Sequence, residues 1–311
     1  MMGMSKRAKY NRIIPLAAMF LVALNIAACL DGCGAERPTP KSELAPKQSI
    51  GGEMLGGLIK RFLYYPMKIE RDKALPHYIE GAEEVFFKVE NGNEMHALHW
   101  PAGEGRPTIL FLHGNAQTVF EWALIRDELA PMDCGLFLID YPGYGKSAGD
   151  PSEMSLYAAG YAAMKTMIED KGIAESDIIV FAKSLGGGVA TQITQDRKVK
   201  GLILESTFTS IPSVASALFP MLPTGLAFKS EIYDSASKLK NIHVPVLVVH
   251  GTTDEIIPFK EGERLFAIAN EPKEFYVVKG AGHNDVSMTV GDEYGQRLRT
   301  WLDGIEKLQA K

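Results

Sequence analysis

The chain has 311 residues, of which 46% are hydrophobic and 23% are charged. These proportions are typical of a globular protein with a large core and exclude a disordered or fibrous chain. The formal net charge is −5. Because the first 28 residues carry four basic side chains and no acidic one, the rest of the chain stands near −9, which makes it a poor partner for nucleic acid.

The N-terminus has the pattern of an export signal. The basic stretch "SKRAKYNR" precedes the apolar run "IIPLAAMFLVALNIAA", and small residues precede Cys29. We expect residues 1–28 to be this signal; an uncleaved membrane-anchoring helix is the alternative. The segment "NIAACL" resembles the lipobox of bacterial lipoproteins, which implies that Cys29 is acylated. It implies an exported protein, lipid-anchored to a membrane of the bacterial cell envelope, the outer membrane in a Gram-negative cell because Leu30 rather than aspartate follows.

Residues 29–49 contain three prolines and no apolar periodicity, which predicts a tether. We expect residues 50–311 to form the folded domain. Apolar residues at its start recur at helical spacing and predict an amphipathic helix, packed on the domain or lying against a membrane. These residues are Ile50, Met54, Leu55, Leu58, Ile59, Phe62 and Leu63.

From residue 84 onward, strand-like and helix-like segments alternate. "EVFFKVE" and "HALHW" predict a hairpin, "TILFLHG" and "GLFLIDYPG" predict buried strands, and "SEMSLYAAGYAAMKTMIED" predicts a helix leading to the strand "DIIVFAKS". A helix to about Gln195, strands at "GLILES", "VPVLVVHG" and "KEFYVVKG", a helix near "KEGERLFAIA" and a last helix from about Tyr294 follow. This alternation predicts an α/β fold with a mostly parallel sheet covered on both faces.

The stretch "AKSLGGG" places Ser184 in the turn between a strand and a helix. Such a turn presents its residue above the sheet, and the helix N-terminus offers N–H groups to a developing anion. Glycines from Gly186 to Gly188 let the strand and helix pass closely. Ser184 is therefore the predicted nucleophile, although the usual Gly-x-Ser-x-Gly pattern has Ala182 in place of its first glycine.

A nucleophilic serine needs a base, and the base needs a carboxylate that fixes its tautomer. The expected chain order in such a sheet is serine, acid, histidine. Asp254 in "HGTTDEIIP" and His283 in "KGAGHND" follow successive strands and satisfy this order. Each alone reads as a turn aspartate or a surface histidine, but the three placements together favour a triad. Glu205 and Asp285 are the competing carboxylates.

An acyl-transfer site also needs donors for an oxyanion. The loop "FLHGNAQ" follows the first central strand, so the backbone N–H groups of Asn115 and Leu185 are the expected pair. We expect His113 to shape this loop rather than to act as an acid or base. The loop "YPGYGKS", with Tyr141 and Tyr144, is expected to be a structural turn.

Residues 206–243 lie between two strands and are expected to form a short cap insertion over the site. Their apolar side chains either line an acyl pocket or pack the cap onto the sheet, and the sequence leaves both open. These side chains are Val214, Leu218, Phe219, Met221, Leu222, Leu226 and Phe228.

No motif for a metal, a nucleotide phosphate or a dinucleotide occurs, so we expect no cofactor and no metal site. Cys134 precedes an apolar strand and is expected to be a small core residue. Whether it pairs with Cys33 is not determined by the sequence.

Six motifs in order, "HGNA", "DYPGYGKSAGDPSE", "AKSLGGG", "ESTFTS", "PVLVVHGTTDEIIPF" and "GAGHND", resemble the α/β-hydrolase family. The resemblance spans residues 55–305 and points to the small membrane-associated serine hydrolases that include relatives of a fungal cell-polarity protein and the human protein depalmitoylases. It implies the α/β-hydrolase fold, the triad of Ser184, Asp254 and His283, and an oxyanion hole at Asn115 and Leu185. It does not carry a substrate, because one such geometry cleaves esters, thioesters and amides.

The sequence thus predicts a lipid-anchored serine hydrolase that cleaves small carboxylic esters or thioesters. Two alternatives stay open: a peptidase or amidase of the same fold, and a catalytically silent envelope binding protein. A triad alone does not distinguish an alkoxide or thiolate leaving group from an amine.

Overall fold

The computed structural model describes residues 60–61, 63–218, 220–221 and 230–309. The predicted signal and tether, Cys29, and most of the predicted amphipathic helix lie outside the described residues. Within the described ranges, no helix has the length and hydropathy needed to cross a membrane.

In the part of the chain that the structure describes, eight strands form one sheet. They are β1 (Glu83–Lys88), β2 (Glu94–Trp100), β3 (Thr108–Leu112), β4 (Gly135–Ile139), β5 (Ile178–Lys183), β6 (Gly201–Glu205), β7 (Val246–Gly251) and β8 (Lys273–Val278). Their order across the sheet is β1-β2-β4-β3-β5-β6-β7-β8. The β1/β2 hairpin is antiparallel, β2 pairs antiparallel with β4, and every other pair is parallel.

Helices connect and cover the strands. They are α1 (Val119–Trp122), α2 (Ile125–Leu129), α3 (Glu153–Glu169), α4 (Gly186–Thr194), α5 (Ile211–Leu218), α6 (Ser235–Leu239), α7 (Phe259–Ile268), α8 (Val286–Val290) and α9 (Glu293–Gln309). The predicted strands and the four predicted helices at α3, α4, α7 and α9 are confirmed. The α1, α2, α5, α6 and α8 helices were not predicted, because four to eight residues are too few to show a helical period.

The central strands are buried along their whole length, and alternate side chains point to opposite faces. Leu110 and Leu112 of β3 join an apolar cluster with side chains of α3, α4, α6 and α7. Ile109 and Phe111 join a second cluster with side chains of α1, α2, α8 and α9. Helices therefore cover both faces of a mostly parallel sheet, which confirms the predicted α/β-hydrolase fold class.

The sheet order places a topological switch point, where open sheets form a crevice, at the carboxyl ends of β3 and β5. The chain passes from β3 to β4 on one side and then crosses to β5 on the other. Ligands of open parallel sheets bind at such a switch point. The loop that begins at His113 follows β3, and Ser184 follows β5, so both lie beside this crevice.

The segment between β6 and β7 corresponds to the predicted cap insertion and contains α5 and α6. Its return to the domain is fixed at α3, where the Glu153 carboxylate accepts the N–H groups of Ile232 (2.7 Å) and Tyr233 (2.9 Å). Val214 packs against the apolar cluster of β3, whereas Met221 is almost fully exposed. The other residues predicted to line a pocket, except the half-buried Leu218, lie outside the described residues: Phe219, Leu222, Leu226 and Phe228.

Cys134 is half-buried before β4, where it packs against the second apolar cluster. Its thiol is free and donates to the Met132 carbonyl at 3.4 Å. Burial raises the pKa of this thiol to about 12. Cys134 therefore stays protonated at neutral pH, and Cys33 lies outside the described residues.

Candidate active site

Ser184 occupies a tight turn between β5 and α4. Its φ is 55°, in the left-handed region that a non-glycine residue adopts only under constraint. Two neighbours supply that constraint. The Ser184 N–H donates to the Glu205 carbonyl at 3.0 Å, and the Thr207 hydroxyl donates to the Ser184 carbonyl at 2.7 Å.

The glycines after Ser184 are required because the backbone passes very close to neighbouring strands. A Cβ at Gly186 would lie 2.1 Å from the Leu112 carbonyl oxygen, and one at Gly187 would lie 2.0 Å from Thr207 Oγ1. Ala182, which replaces the first glycine of the usual pattern, is fully buried in the apolar cluster of β3. The turn therefore accommodates a methyl group at the position where the usual pattern has glycine.

His283 lies in the loop after β8 and bridges Ser184 and Asp254. Its Nε2 is 3.0 Å from Ser184 Oγ, and its Nδ1 is 2.9 Å from Asp254 Oδ2. The three residues come from loops after β5, β7 and β8, up to 99 positions apart in the chain. The structure thus brings the three predicted triad residues into one hydrogen-bonded chain.

The Asp254 carboxylate is buried and surrounded by donors. Its Oδ1 accepts the N–H groups of Ile256 (2.9 Å) and Ile257 (2.8 Å), while Oδ2 faces His283 and the Nε2 of His250, at 3.3 Å. Burial alone raises the pKa of this carboxyl, but the hydrogen bonds from His250, His283 and Ile257 outweigh burial and hold the pKa well below its usual range. Asp254 is therefore ionised at neutral pH.

The two competing carboxylates make other bonds. Glu205 forms a buried ion pair with Lys183 at 2.7 Å and accepts a hydrogen bond from Tyr294. Asp285 accepts the Gly282 N–H at 2.6 Å. Neither carboxylate bonds to the His283 ring. The Glu205 side chain thus partners Lys183, the residue before Ser184.

The loop after β3 lies beside Ser184. A Cβ at Gly114 would be 3.5 Å from Ser184 Cβ, which is van der Waals distance, so this loop lies next to the serine. Among the described residues, no hydrogen bond uses the backbone N–H of Asn115 or of Leu185. These are the two groups predicted to bind an oxyanion: Leu185 directly follows the serine, and Asn115 follows Gly114, which lies beside the serine.

His113 fixes the direction of the Asn115 N–H. Its Nδ1–H donates to the Gly114 carbonyl at 2.7 Å. Gly114 and Asn115 share one planar trans peptide unit, in which C=O and N–H point in opposite directions. Holding the Gly114 carbonyl therefore also holds the Asn115 N–H.

The His113 ring is fully buried, and its Nε2 has no hydrogen-bond partner among the described residues. Burial lowers the pKa of His113, so the ring is neutral and acts as a donor only. Two buried tyrosines hold the same loop: the Tyr141 hydroxyl donates to the His113 carbonyl (3.1 Å), and the Tyr144 hydroxyl donates to the Asn115 carbonyl (2.7 Å). The loop "YPGYGKS" thus holds the loop after β3 in place through these two tyrosine hydroxyl groups.

Sequence reasoning missed three residues of this arrangement: His250, Thr207 and Tyr65. Tyr65 donates its N–H to the Asn115 carbonyl at 3.0 Å. From the sequence alone, His250 is one residue of a buried strand and Thr207 is one residue of a loop. No local signal marks them, because their roles depend on contacts with residues distant in the chain.

Several known proteins are similar to this chain. Residues 103–232 match the family model described as "Serine aminopeptidase, S33". An uncharacterized protein of Mycobacterium tuberculosis is 31% identical over 250 residues, which cover 80% of this chain and 86% of that protein. Protein bem46 of Schizosaccharomyces pombe is 34% identical over 64% of this chain and 68% of its own. Human α/β hydrolase domain-containing protein 17B is 35% identical over 61% of this chain and 63% of its own.

Among solved structures, an esterase of Pyrococcus furiosus superposes with a TM-score of 0.63 at 16% identity, covering 78% of this chain and 97% of the esterase. At this identity the likeness shows the fold.

The close contact at Gly187 can be tested with one substitution made in two helices. We expect Gly187→Ala to lower the free energy of unfolding by about 1–3 kcal/mol, because the new methyl group would overlap the Thr207 side chain. We expect Gly304→Ala in α9, where nothing lies within 4 Å of the new Cβ, to raise it by up to about 1 kcal/mol. Urea denaturation measures both values. A Gly187→Ala variant as stable as the parent contradicts this contact.

Proposed function

Because the chain belongs to the α/β-hydrolase family, we propose that it is a serine hydrolase that cleaves carboxylic esters or thioesters through an acyl-enzyme intermediate. The observation that carries the proposal is the chain of hydrogen bonds from Ser184 Oγ through His283 to Asp254, with distances of 3.0 and 2.9 Å. A silent binding protein would not need a buried carboxylate, a histidine and a serine aligned in this way.

The first half of the proposed reaction forms the acyl-enzyme. Ser184 Oγ attacks the carbonyl carbon of the substrate, and His283 Nε2 takes the hydroxyl proton. The Asp254 carboxylate accepts the Nδ1–H bond and stabilises the imidazolium that forms. The N–H groups of Asn115 and Leu185 bind the carbonyl oxygen as it becomes an anion. His283 then protonates the departing alcohol or thiol.

The second half releases the acid. A water molecule attacks the acyl carbon, His283 accepts its proton, and the same two N–H groups bind the second oxyanion. Collapse of this intermediate breaks the bond to Ser184 Oγ, which regains the proton from His283. No group other than substrate and water is consumed.

A second candidate is hydrolysis of amides by the same residues. The observation that favours it is the match of residues 103–232 to a family model whose description names a serine aminopeptidase. An amine leaving group needs stronger protonation by His283 than an alkoxide or thiolate does. Rates on p-nitrophenyl esters, acyl thioesters and aminoacyl amides decide between the two candidates, and hydrolysis of none of them by a folded protein contradicts both.

We further propose that the enzyme acts at the surface of a membrane in the bacterial cell envelope, to which acyl chains on Cys29 hold it. The basic and apolar leader and the small residues before Cys29 support this location. Stable attachment requires two or more acyl chains, because one chain gives only marginal binding. The substrate proposed for this site is a small acyl ester or thioester, in keeping with the resemblance to depalmitoylases.

We expect Ser184→Ala to abolish hydrolysis of an activated ester and labelling by a fluorophosphonate probe, because only the nucleophile is removed. The turn tolerates the change, since the bonds that hold residue 184 use its backbone. Circular dichroism checks the fold. Turnover near the parent rate in a folded variant contradicts the proposed mechanism.

The identity of the triad acid is tested by three amide variants. We expect Asp254→Asn to lower kcat by about 10³- to 10⁴-fold, because the imidazole takes the wrong tautomer. Glu205→Gln and Asp285→Asn should each lower kcat by less than about tenfold, since neither side chain bonds to His283. Asp285→Asn is the matched control, and circular dichroism checks the fold of Glu205→Gln, because that change disrupts the ion pair with Lys183. The assignment of Asp254 is wrong if Glu205→Gln proves the most damaging of the three.

We expect Cys29→Ser to leave the exported protein without lipid and in the soluble fraction, because serine has no thiol to acylate. The measurement is incorporation of labelled palmitate, with membrane fractionation, in cells producing either form. The Cys33→Ser variant is the matched control and should label normally. Equal labelling of the Cys29→Ser protein contradicts the anchor.

A further inference from the structure

We propose that His250 is a positioning residue for the proposed reaction: its Nε2–H holds the Asp254 carboxylate in the orientation that binds His283. The inference rests on the proposed function and adds a second histidine to the acid of the triad.

His250 is fully buried near the end of β7, four residues before Asp254. Its Nε2 lies 2.9 Å from the Ile257 carbonyl oxygen and 3.3 Å from Asp254 Oδ2. Because a carbonyl oxygen can only accept, the ring proton is on Nε2. This N–H therefore bonds to the Ile257 carbonyl, and its nitrogen also faces Asp254 Oδ2 at the longer distance of 3.3 Å, so the ring contacts both ends of the turn 254–257.

The other ring nitrogen supports the same tautomer. His250 Nδ1 has no hydrogen-bond partner among the described residues. It faces the backbone of α7, where a Cβ at Gly262 would lie only 2.6 Å away. A proton on Nδ1 would be buried without an acceptor, which costs about 1–3 kcal/mol. His250 thus carries a proton on Nε2 and supplies a directed donor.

The N–H of His250 also contributes to the environment of the carboxylate. Asp254 Oδ1 is already held by two backbone N–H groups, whereas among the described residues Oδ2 faces only His283 and His250. Removing His250 leaves Oδ2 bound to His283 alone, so its charge acts on the imidazolium undivided. The imidazolium that forms on His283 is then stabilised more strongly than in the parent protein.

Several other side chains lie around His250, Asp254 and His283. Glu255 Oε2 accepts the His283 N–H at 3.4 Å, and Asp285 accepts the Gly282 N–H in the same loop. Ser184 Oγ faces Nε2 of His283. From α7, the uncharged Phe259 ring packs edge-on against His250. Both neighbouring carboxylates bond to backbone, so a change at His250 leaves their contacts in place.

The test compares His250→Phe, which keeps a ring without a donor, with His250→Gln, whose amide nitrogen reaches the position of Nε2. We expect the Phe variant to lower kcat/KM by about tenfold to a hundredfold and to move the acid limb of its pH profile to higher pH. The Gln variant should keep the acid limb of the parent and most of its rate. His99→Phe, a buried histidine on β2 three strands from β5, is the control and should change neither.

Each outcome is decisive. A Phe variant with the parent profile, or one that is slower with an unmoved acid limb, overturns the inference, because a purely structural role predicts no shift. If the Phe variant does not fold, His250→Asn replaces it: its shorter amide does not reach Oδ2 and should give the same shift. The parent protein is assayed beside them, and its failure to hydrolyse any substrate counts against the proposed function instead.

Discussion

The candidate site depends on the close passage of the Ser184 turn between β3 and β6. Ser184 is held in a left-handed conformation, which costs about 1–3 kcal/mol and persists only where the surroundings enforce it. The Glu205 carbonyl and the Thr207 hydroxyl enforce it from β6, and contact with the Leu112 carbonyl leaves room only for glycine at 186. Because the serine hydroxyl is placed by this backbone, the distances to His283 and to the loop after β3 follow from it.

Two buried histidines serve the site in the same physical way. His113 donates to the peptide that carries the Asn115 N–H, and His250 donates toward the Asp254 carboxylate. Each ring is fully buried and leaves its second nitrogen without a partner among the described residues. A neutral imidazole supplies a rigid donor without a charge that must be desolvated, which suits the dry region beneath a reacting group.

A buried ion pair next to Ser184 in the chain is separate from the triad. Lys183 and Glu205 form an ion pair on the neighbouring strands β5 and β6, and Tyr294 of α9 bonds the same carboxylate. Breaking such a pair leaves one buried charge unbalanced, so the pair constrains the strands that carry the serine and Thr207. Glu205 therefore supports the turn through its side chain and its carbonyl, which explains why a carboxylate at a strand end need not be the triad acid.

The sequence by itself determined the α/β alternation and the order of serine, acid and histidine, because buried strands, glycine turns and strand-end residues are local signals. It did not predict the short helices α1 and α2, because four or five residues are too few to show a helical periodicity of apolar side chains. Only the tertiary structure decided that Asp254, and not Glu205, reaches His283, and that His250, Thr207 and Tyr65 support the site. Those choices depend on which side chains meet across the sheet from positions far apart in the chain, and hydrogen-bond geometry of a few tenths of an ångström is set by packing rather than by local sequence.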